Sequence, residues 1–273
     1  MSNPQCIKFA YSAIGWRSGL ADAAKQIAGL GFAGVETFSL SHCLKRDQNL
    51  EQVLEETGLE LRSTYFAGSF VDVERLEHEY ADFASTLAEL AKLRGKNIVV
   101  GGGRIRRGRP AEDWAQFLSA VRRLGAMAAD AGIQLSFHPH AGTLVYTPEE
   151  IRRFAGEPDL ATVRFAFDVA HLALGGGNVA DLFREFSGRI GHVHLKDLSN
   201  DRHFVEMGRG TVPIQRVYAG LVSQGYRGWI TIELDAADDA YVSACENVRY
   251  LRDTLGIKLD RRQLRQGAES GTG

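Results

Sequence analysis

The sequence predicts one α/β domain, a (β/α)8 barrel of the TIM type. Three observations predict it. Short β-like runs alternate with longer amphipathic patterns eight times along 273 residues, and regular βα alternation implies parallel strands. No shift in composition marks a second domain, and barrels of this kind use about 250 residues as one unit. The runs five to eight each end in imidazole or carboxylate side chains, and in a barrel such ends converge on one face.

Taken in order, Cys6–Tyr11 is a first strand, and Leu20–Leu30 an amphipathic helix closed by Gly31. Gly34–Thr37 is strand two, and Leu50–Thr57 is helical up to Gly58. Leu59–Tyr65 is strand three. In Glu74–Leu93, the residues Leu76, Tyr80, Phe83, Leu87 and Leu90 recur at helical spacing. Asn97–Val100 is strand four, Glu112–Ala129 a helix closed by Gly132, and Ile133–Phe137 strand five. Pro148 opens the next helix, where its missing N–H costs little. Val163–Phe167 is strand six, Val179–Phe186 a helix and Ile190–Leu195 strand seven. Val212–Gln224 is helical, Trp229–Leu234 is strand eight, and Asp239–Leu255 closes the chain with a helix. The core spans about residues 6–256 within a single 1–273 domain, and the small polar run 265–273 is expected to fray. A doubly wound open sheet is the main competitor. The first βα turn carries no G-x-G-x-x-G, which counts against its dinucleotide-binding form.

With 44% hydrophobic and 24% charged residues the chain can bury a large core. A formal net charge of −2 offers no field for nucleic acid or an anionic membrane. Cys6, Cys43 and Cys245 are an odd, sparse set without C-x-x-C spacing, so neither a disulfide framework nor a cysteine metal site is expected. The start MSNPQCIKF lacks the basic-then-apolar pattern of a secretion signal, and no run approaches about 18 apolar residues. A cytoplasmic protein is expected, and a homo-oligomer is compatible with the sequence.

The strand ends hold the chemistry. Strand five ends in His138-Pro139-His140, strand six in Asp168, strand seven in His192-Val193-His194 followed by Lys196 and Asp197, and strand eight in Glu233. A single buried histidine is usually a satisfied polar residue. Ligand types at four successive strand ends point to one divalent metal ion. Mixed nitrogen and oxygen donors suit Mn²⁺ foremost, with Co²⁺, Zn²⁺, Fe²⁺ or Mg²⁺ as alternatives. Residues i and i+2 share a strand face. Pro139 can break that alternation, so His138 and His140 both remain candidates for the strand-five ligand.

FHPHAGTLVYTPEEI, FAFDVAHLALGGG, RIGHVHLKD and GYRGWITIELD resemble the sugar phosphate isomerase/epimerase-like barrels related to xylose isomerase and endonuclease IV. Within them the run looks most like the inosose (2-keto-myo-inositol) dehydratases. The resemblance covers about residues 6–256. Such barrels hold their metal with Glu, Asp, His and Glu from strands five to eight. Carried over, Asp168, His194 and Glu233 match the last three, and the first glutamate position falls on His138. The related epimerases use the first and last glutamates as a two-faced proton-transfer pair, which this chain lacks. An H-x-H at that point goes with the dehydratase-like branch.

The implied activity is therefore a metal-dependent carbon–oxygen lyase. It would act on a keto-cyclitol or keto-sugar by β-elimination through a metal-stabilised enolate. A sugar isomerase or epimerase, or a deglycosidase acting on a 3-keto-glycoside, is the alternative. Glu233 or a histidine (His138 or His140) would take the α-proton and a second imidazole would serve as acid. Lys196 would add positive charge at the enolate, set against a plain solvated lysine. Expected substrate contacts are Glu36, Tyr65, His171, Trp16 and Arg209, each weighed against a structural role. Arg104, Arg106, Arg107 and Arg109 crowd the loop after strand four, where a charge run is usually a solvated face. The glycines of Glu206–Gly210 read as backbone-shaping. Endonuclease-like chemistry needs more metal ligands and a basic footprint that a near-neutral chain does not offer.

Overall fold

The computed structural model describes residues 7–17, 19–105, 110–235 and 237–259. Eight parallel strands close into a barrel. In chain order they are β1 (Lys8–Ser12), β2 (Gly34–Phe38), β3 (Glu60–Gly68), β4 (Asn97–Gly102), β5 (Gln134–Phe137), β6 (Arg164–Asp168), β7 (Ile190–Leu195) and, as the eighth staff, β10 (Trp229–Ile232). Between β7 and β10 lies a short antiparallel hairpin, β8 (Asp197–Leu198) and β9 (Phe204–Val205). The first and last barrel strands pair from Lys8 with Trp229 to Tyr11 with Ile232, so the sheet has no free edge.

Helices cover the outside: α1 (Leu20–Gly29), α2 (Leu40–Arg46), α3 (Leu50–Thr57), α4 (Val73–Lys92), α5 (Pro110–Asp130), α6 (Pro148–Ala155), α7 (Val169–Leu174), α8 (Val179–Glu185), α9 (Ile214–Ser223) and α10 (Ala240–Asp253). The periodic residues of α4 face inward, and Leu76, Tyr80, Phe83, Leu87 and Leu90 are buried. Local chemistry sets the ends. Gly58 closes α3 in the left-handed region, φ 68°. Thr147 opens α6 with a reciprocal capping box to Glu150.

The expected elements are present, with ends displaced by a few residues. Strand three is the largest departure. It runs on to Gly68 because its partner β4 continues pairing to Gly102. The helix α2 and the β8–β9 hairpin carry no apolar periodicity long enough to read from sequence. The terminal run 265–273, Cys6, Arg106, Arg107 and Arg109 lie outside the described residues. Among the described residues no helix is long and apolar enough to cross a membrane.

The interior of the barrel departs from the usual layers of branched aliphatic side chains. Ser63, Asn97, Ser136, His192, Thr231 and Glu36 are all buried there or at its wall. Ser136 donates to Asn97, and Thr231 meets His192 Nε2 at 3.0 Å. The aliphatic and aromatic core lies instead between barrel and helices, where Phe137 stacks on Phe154 and Phe117 meets Phe137 edge-on.

Candidate active site

The C-terminal ends of the strands open into a cavity of about 270 Å³. Its two sides differ. Ile14, Phe38, Tyr65, Ala67, Gly101 and Gly102 come from the first four βα units. His138, His140, His171, Glu233 and Asp235 come from the last four. Gly101 is required by the wall itself, because a Cβ there would fall 1.8 Å from the Tyr65 hydroxyl.

Each titratable residue is placed by its strand. His138 extends β5, its backbone N–H donating to Val100 O at 2.8 Å. Its Nδ1 lies 3.1 Å from Ala166 O. A carbonyl only accepts, so Nδ1 carries the proton and Nε2 keeps its lone pair. Asp168 ends β6 and caps α7, with Oδ1 accepting from the N–H groups of Ala170 and His171 at 2.8 and 2.9 Å. Its Oδ2 is buried without an aligned hydrogen bond. His192 and His194 point into the barrel from alternate positions of β7, as the period of a strand requires. His194 Nδ1 is likewise buried without a hydrogen bond, 3.9 Å from Asp168 Oδ2 and 3.7 Å from Glu233 Oε2. One donor atom each from His138, Asp168 and His194 lies within 4.8 Å of the others, and His138, His140 and His171 form a second such triplet.

Lys196 follows the end of β7 beside this cluster and is 1% exposed. Its Nζ reaches Glu233 Oε1 at 2.7 Å, Asp235 Oδ2 at 2.8 Å and Asp168 Oδ2 at 3.2 Å. Burial would neutralise the ammonium, but those three carboxylates outweigh it and raise its pKa well above the ordinary lysine value. Burial would also raise Asp168 and Glu233, and Lys196 with nearby imidazoles holds both below the usual carboxylate range. Asp235 goes the other way, raised by burial and by the charge of Glu233. His138 is pushed down to about 3 by burial and by cationic His194. For His194 burial acts downward, yet Glu36, Glu233 and Asp168 hold it up at about 9.

This donor set fits a divalent cation. Asp168 Oδ2 and His194 Nδ1 are buried polar atoms without an aligned partner, which is costly unless something else satisfies them. Three carboxylates surround one ammonium, leaving a surplus of negative charge that a dication offsets.

The other expected site residues are distributed unevenly. His140 and His171 face each other with ring centroids 4.1 Å apart at the cavity wall. Tyr65 lines the wall and packs edge-on to His138. Glu36 lies deeper, 1% exposed, between His192 and His194. Trp16 turns away to pack on Tyr11 and donates to Gln26 at 2.9 Å. Arg209 is on the surface, paired with Glu246 and Glu206. Its neighbour Gly208 adopts φ 89° and donates to Asp197 Oδ2, so the glycines there shape the loop. Arg104 bridges to Thr143 through its backbone.

Two residues were missed by sequence reasoning. Asp235 stands two positions after Glu233, and the strand period was a signal for it. Phe204 covers Lys196, its ring centroid 4.3 Å from Nζ, and touches His171. Only the hairpin places it there, and no local pattern announced that.

A closed eight-stranded parallel barrel with a convergent cluster of nitrogen and oxygen donors at its strand ends defines a class of barrels whose mouth could hold a metal ion. The chain belongs to the xylose isomerase-like TIM barrel family, whose profile matches residues 24–254. Among its relatives is an inosose dehydratase of Clostridium beijerinckii, 24% identical over 299 aligned positions that cover 94% of this chain and 100% of the relative. The fold is shared with the 3-keto-D-glucoside 4-epimerase YcjR of E. coli, with a TM-score of 0.77 and 21% identity over 90% of this chain and 99% of that one. It is shared also with the IolI protein solved with a zinc atom, with a TM-score of 0.79 and 14% identity over 90% and 97%.

Proposed function

We propose that this protein is a divalent-metal-dependent carbon–oxygen lyase that removes water from a keto-cyclitol or keto-sugar. The observation that supports it is the strand-five position. A neutral imidazole, His138, stands beside the His140–His171 pair where a two-faced epimerase would need a carboxylate. The inosose dehydratase relatives point the same way.

His138 Nε2, Asp168 Oδ2, His194 Nδ1 and Glu233 Oε2 are the atoms that would hold the ion. A bound dication supplies a Lewis acid at the substrate carbonyl oxygen. His138 is too hard to protonate to serve as an acid, so its proposed role is that of ligand. Glu233 is held ionised by Lys196 and likewise suits a ligand. Proton transfer then falls to His140. Its Nδ1 donates to Ala141 O at 2.8 Å, which leaves the Nε2 lone pair free. That nitrogen takes the proton from the carbon next to the ketone, and the C–H pair becomes the enolate double bond. The β C–O bond breaks as the enolate collapses, and the departing hydroxide recovers the proton from His140 as water. The products are an enone and water. His171 accepts the Ala141 N–H at Nδ1, 3.4 Å, so its Nε2–H is the donor available to a substrate hydroxyl. Buried Lys196 balances the carboxylates without lining the cavity.

The test is incubation of the Mn²⁺-loaded protein with 2-keto-myo-inositol and 3-keto-glucose in deuterated water, followed by mass and absorbance. An unsaturated product lighter by one water is the expected result. Deuterium incorporation into an isomer of unchanged mass, with no enone from either substrate, would overturn the lyase reading in favour of an epimerase.

A further inference from the structure

We infer that Glu36 is a positioning residue that fixes the ring orientation and tautomer of His194, and so presents Nδ1 of that histidine to the ion. The inference rests on the metal reading of the site. Glu36 has one carboxylate oxygen against each histidine of β7. Oε1 lies 2.8 Å from His194 Nε2, and Oε2 lies 2.9 Å from His192 Nε2. Ser63 donates to Oε2 from β3. All four residues are buried. Neither Glu36 Oε1 nor His194 Nε2 makes an aligned hydrogen bond, so this is a short buried charge contact.

The sign of the contact follows from the chemistry. Glu36 faces a ring nitrogen with each of its oxygens and accepts from the Ser63 hydroxyl, the surroundings of an ionised carboxylate. An ionised carboxylate only accepts. A ring nitrogen 2.8 Å from it must carry a proton, because two lone pairs at that distance repel. In neutral His194 the proton is therefore on Nε2 and the lone pair on Nδ1. Nδ1 is the atom that faces Asp168 and Glu233. A carboxylate behind a ligating imidazole also raises the basicity of the ligand. His192 completes the brace. It reaches both Glu36 and Thr231, so the carboxylate is anchored to β7 and, through His192, to β10. The same buried oxygens are unable to meet substrate, since Glu36 is 1% exposed and does not line the cavity.

Two measurements test this. NMR of the metal-free, full-length protein with ¹⁵N-labelled histidine, recorded at a pH above about 9 where His194 has lost its second proton, reads the His194 tautomer directly, and the Nε2–H form is expected. E36Q keeps shape but offers one acceptor and one donor to two ring N–H groups. Its Co²⁺ dissociation constant, from chelator competition, is expected to rise about 10–100-fold. The cobalt absorption bands should shift, and turnover lost at low Co²⁺ should return as the ion is raised. An Nδ1–H tautomer in the wild type overturns the proposal, as does an E36Q protein with wild-type affinity and spectrum. A raised KM at unchanged ion affinity would make Glu36 a substrate contact instead. Two ions per chain, one of them lost in E36Q, would make Glu36, His192 and His194 a metal site of their own. A wild-type protein that takes up no ion overturns the reading of the site itself, and the tautomer then decides separately whether Glu36 orients His194. That measurement needs no variant, so a failure of E36Q to fold does not shelter the proposal.

Discussion

The two halves of the barrel mouth are built from different materials. From β5 to β10 the strand ends carry histidines, carboxylates and a lysine, several of them with strongly displaced pKa values. From β1 to β4 they present Ile14, Phe38, Ala67 and two glycines, with the uncharged hydroxyls of Ser12, Thr37 and Tyr65. Charge is concentrated where bonds would change. The opposite wall offers shape and apolar surface. A polar substrate held between them would be gripped by one half and outlined by the other. Ring C–H faces of sugars and cyclitols suit such an apolar wall.

Substitutions on the two sides should therefore fail in different ways. The largest effect is expected from Asp168→Asn, which keeps the α7 cap but removes the charge. Elemental analysis should then find bound ion falling from one per chain to none, and retention of a full equivalent would break the assignment of chemistry to this half. His140→Gln should keep the ion and lower kcat by about 10²–10⁴-fold, the range of a lost acid–base group. A kcat within a few-fold of wild type would move the proton carrier elsewhere.

Gly101→Ala tests the other wall, since the new methyl group must displace Tyr65. A loss of about 1–3 kcal/mol in denaturant unfolding is expected from such overpacking, with KM raised more than kcat is lowered. The smallest effect is expected at Phe38, which is 40% exposed and stacked on Tyr65 with centroids 5.3 Å apart. Phe38→Ala removes an aromatic pair worth about 0.5–1.5 kcal/mol, and a KM change of a few-fold with intact kcat should accompany it. A large fall in kcat in either wall variant would show that the halves are not separable in this way.

Much of this division was legible in the sequence, because both rules it needs are local. Strand periodicity places i and i+2 on one face, and barrel topology gathers the C-terminal ends. Those rules brought His138, His140, Asp168, His192, His194 and Glu233 to one face, and the family resemblance chose among them. They did not give depth. The sequence places Glu36 and Tyr65 near strand ends, but β2 and β3 run past both, and one is sunk between two histidines while the other lines the cavity. The difference comes from the stagger between neighbouring strands, including the register shift at Val35/Glu36 against β3. Stagger is a property of the closed sheet and not of any one segment. Trp16 illustrates a second limit. It follows strand one as expected, but the 3₁₀ turn Ala13–Gly15 redirects the chain and packs its ring on Tyr11. Phe204 illustrates a third, since five residues separate the paired positions Leu198 and Phe204 and only the folded hairpin returns the ring over Lys196.

The contact between Glu36 and β7 has a consequence for how such a gene can diverge. All four proposed ion ligands are encoded after residue 133, and most of the apolar wall before it. Exchange of the N-terminal segment between related genes would then change the choice of substrate and leave the reaction untouched. Glu36 limits that freedom. It is encoded in the first segment and meets histidines encoded in the second. A recombinant that receives a different residue there inherits the ligands without their brace. Viable chimeras should keep an acidic residue at this position whatever else they exchange.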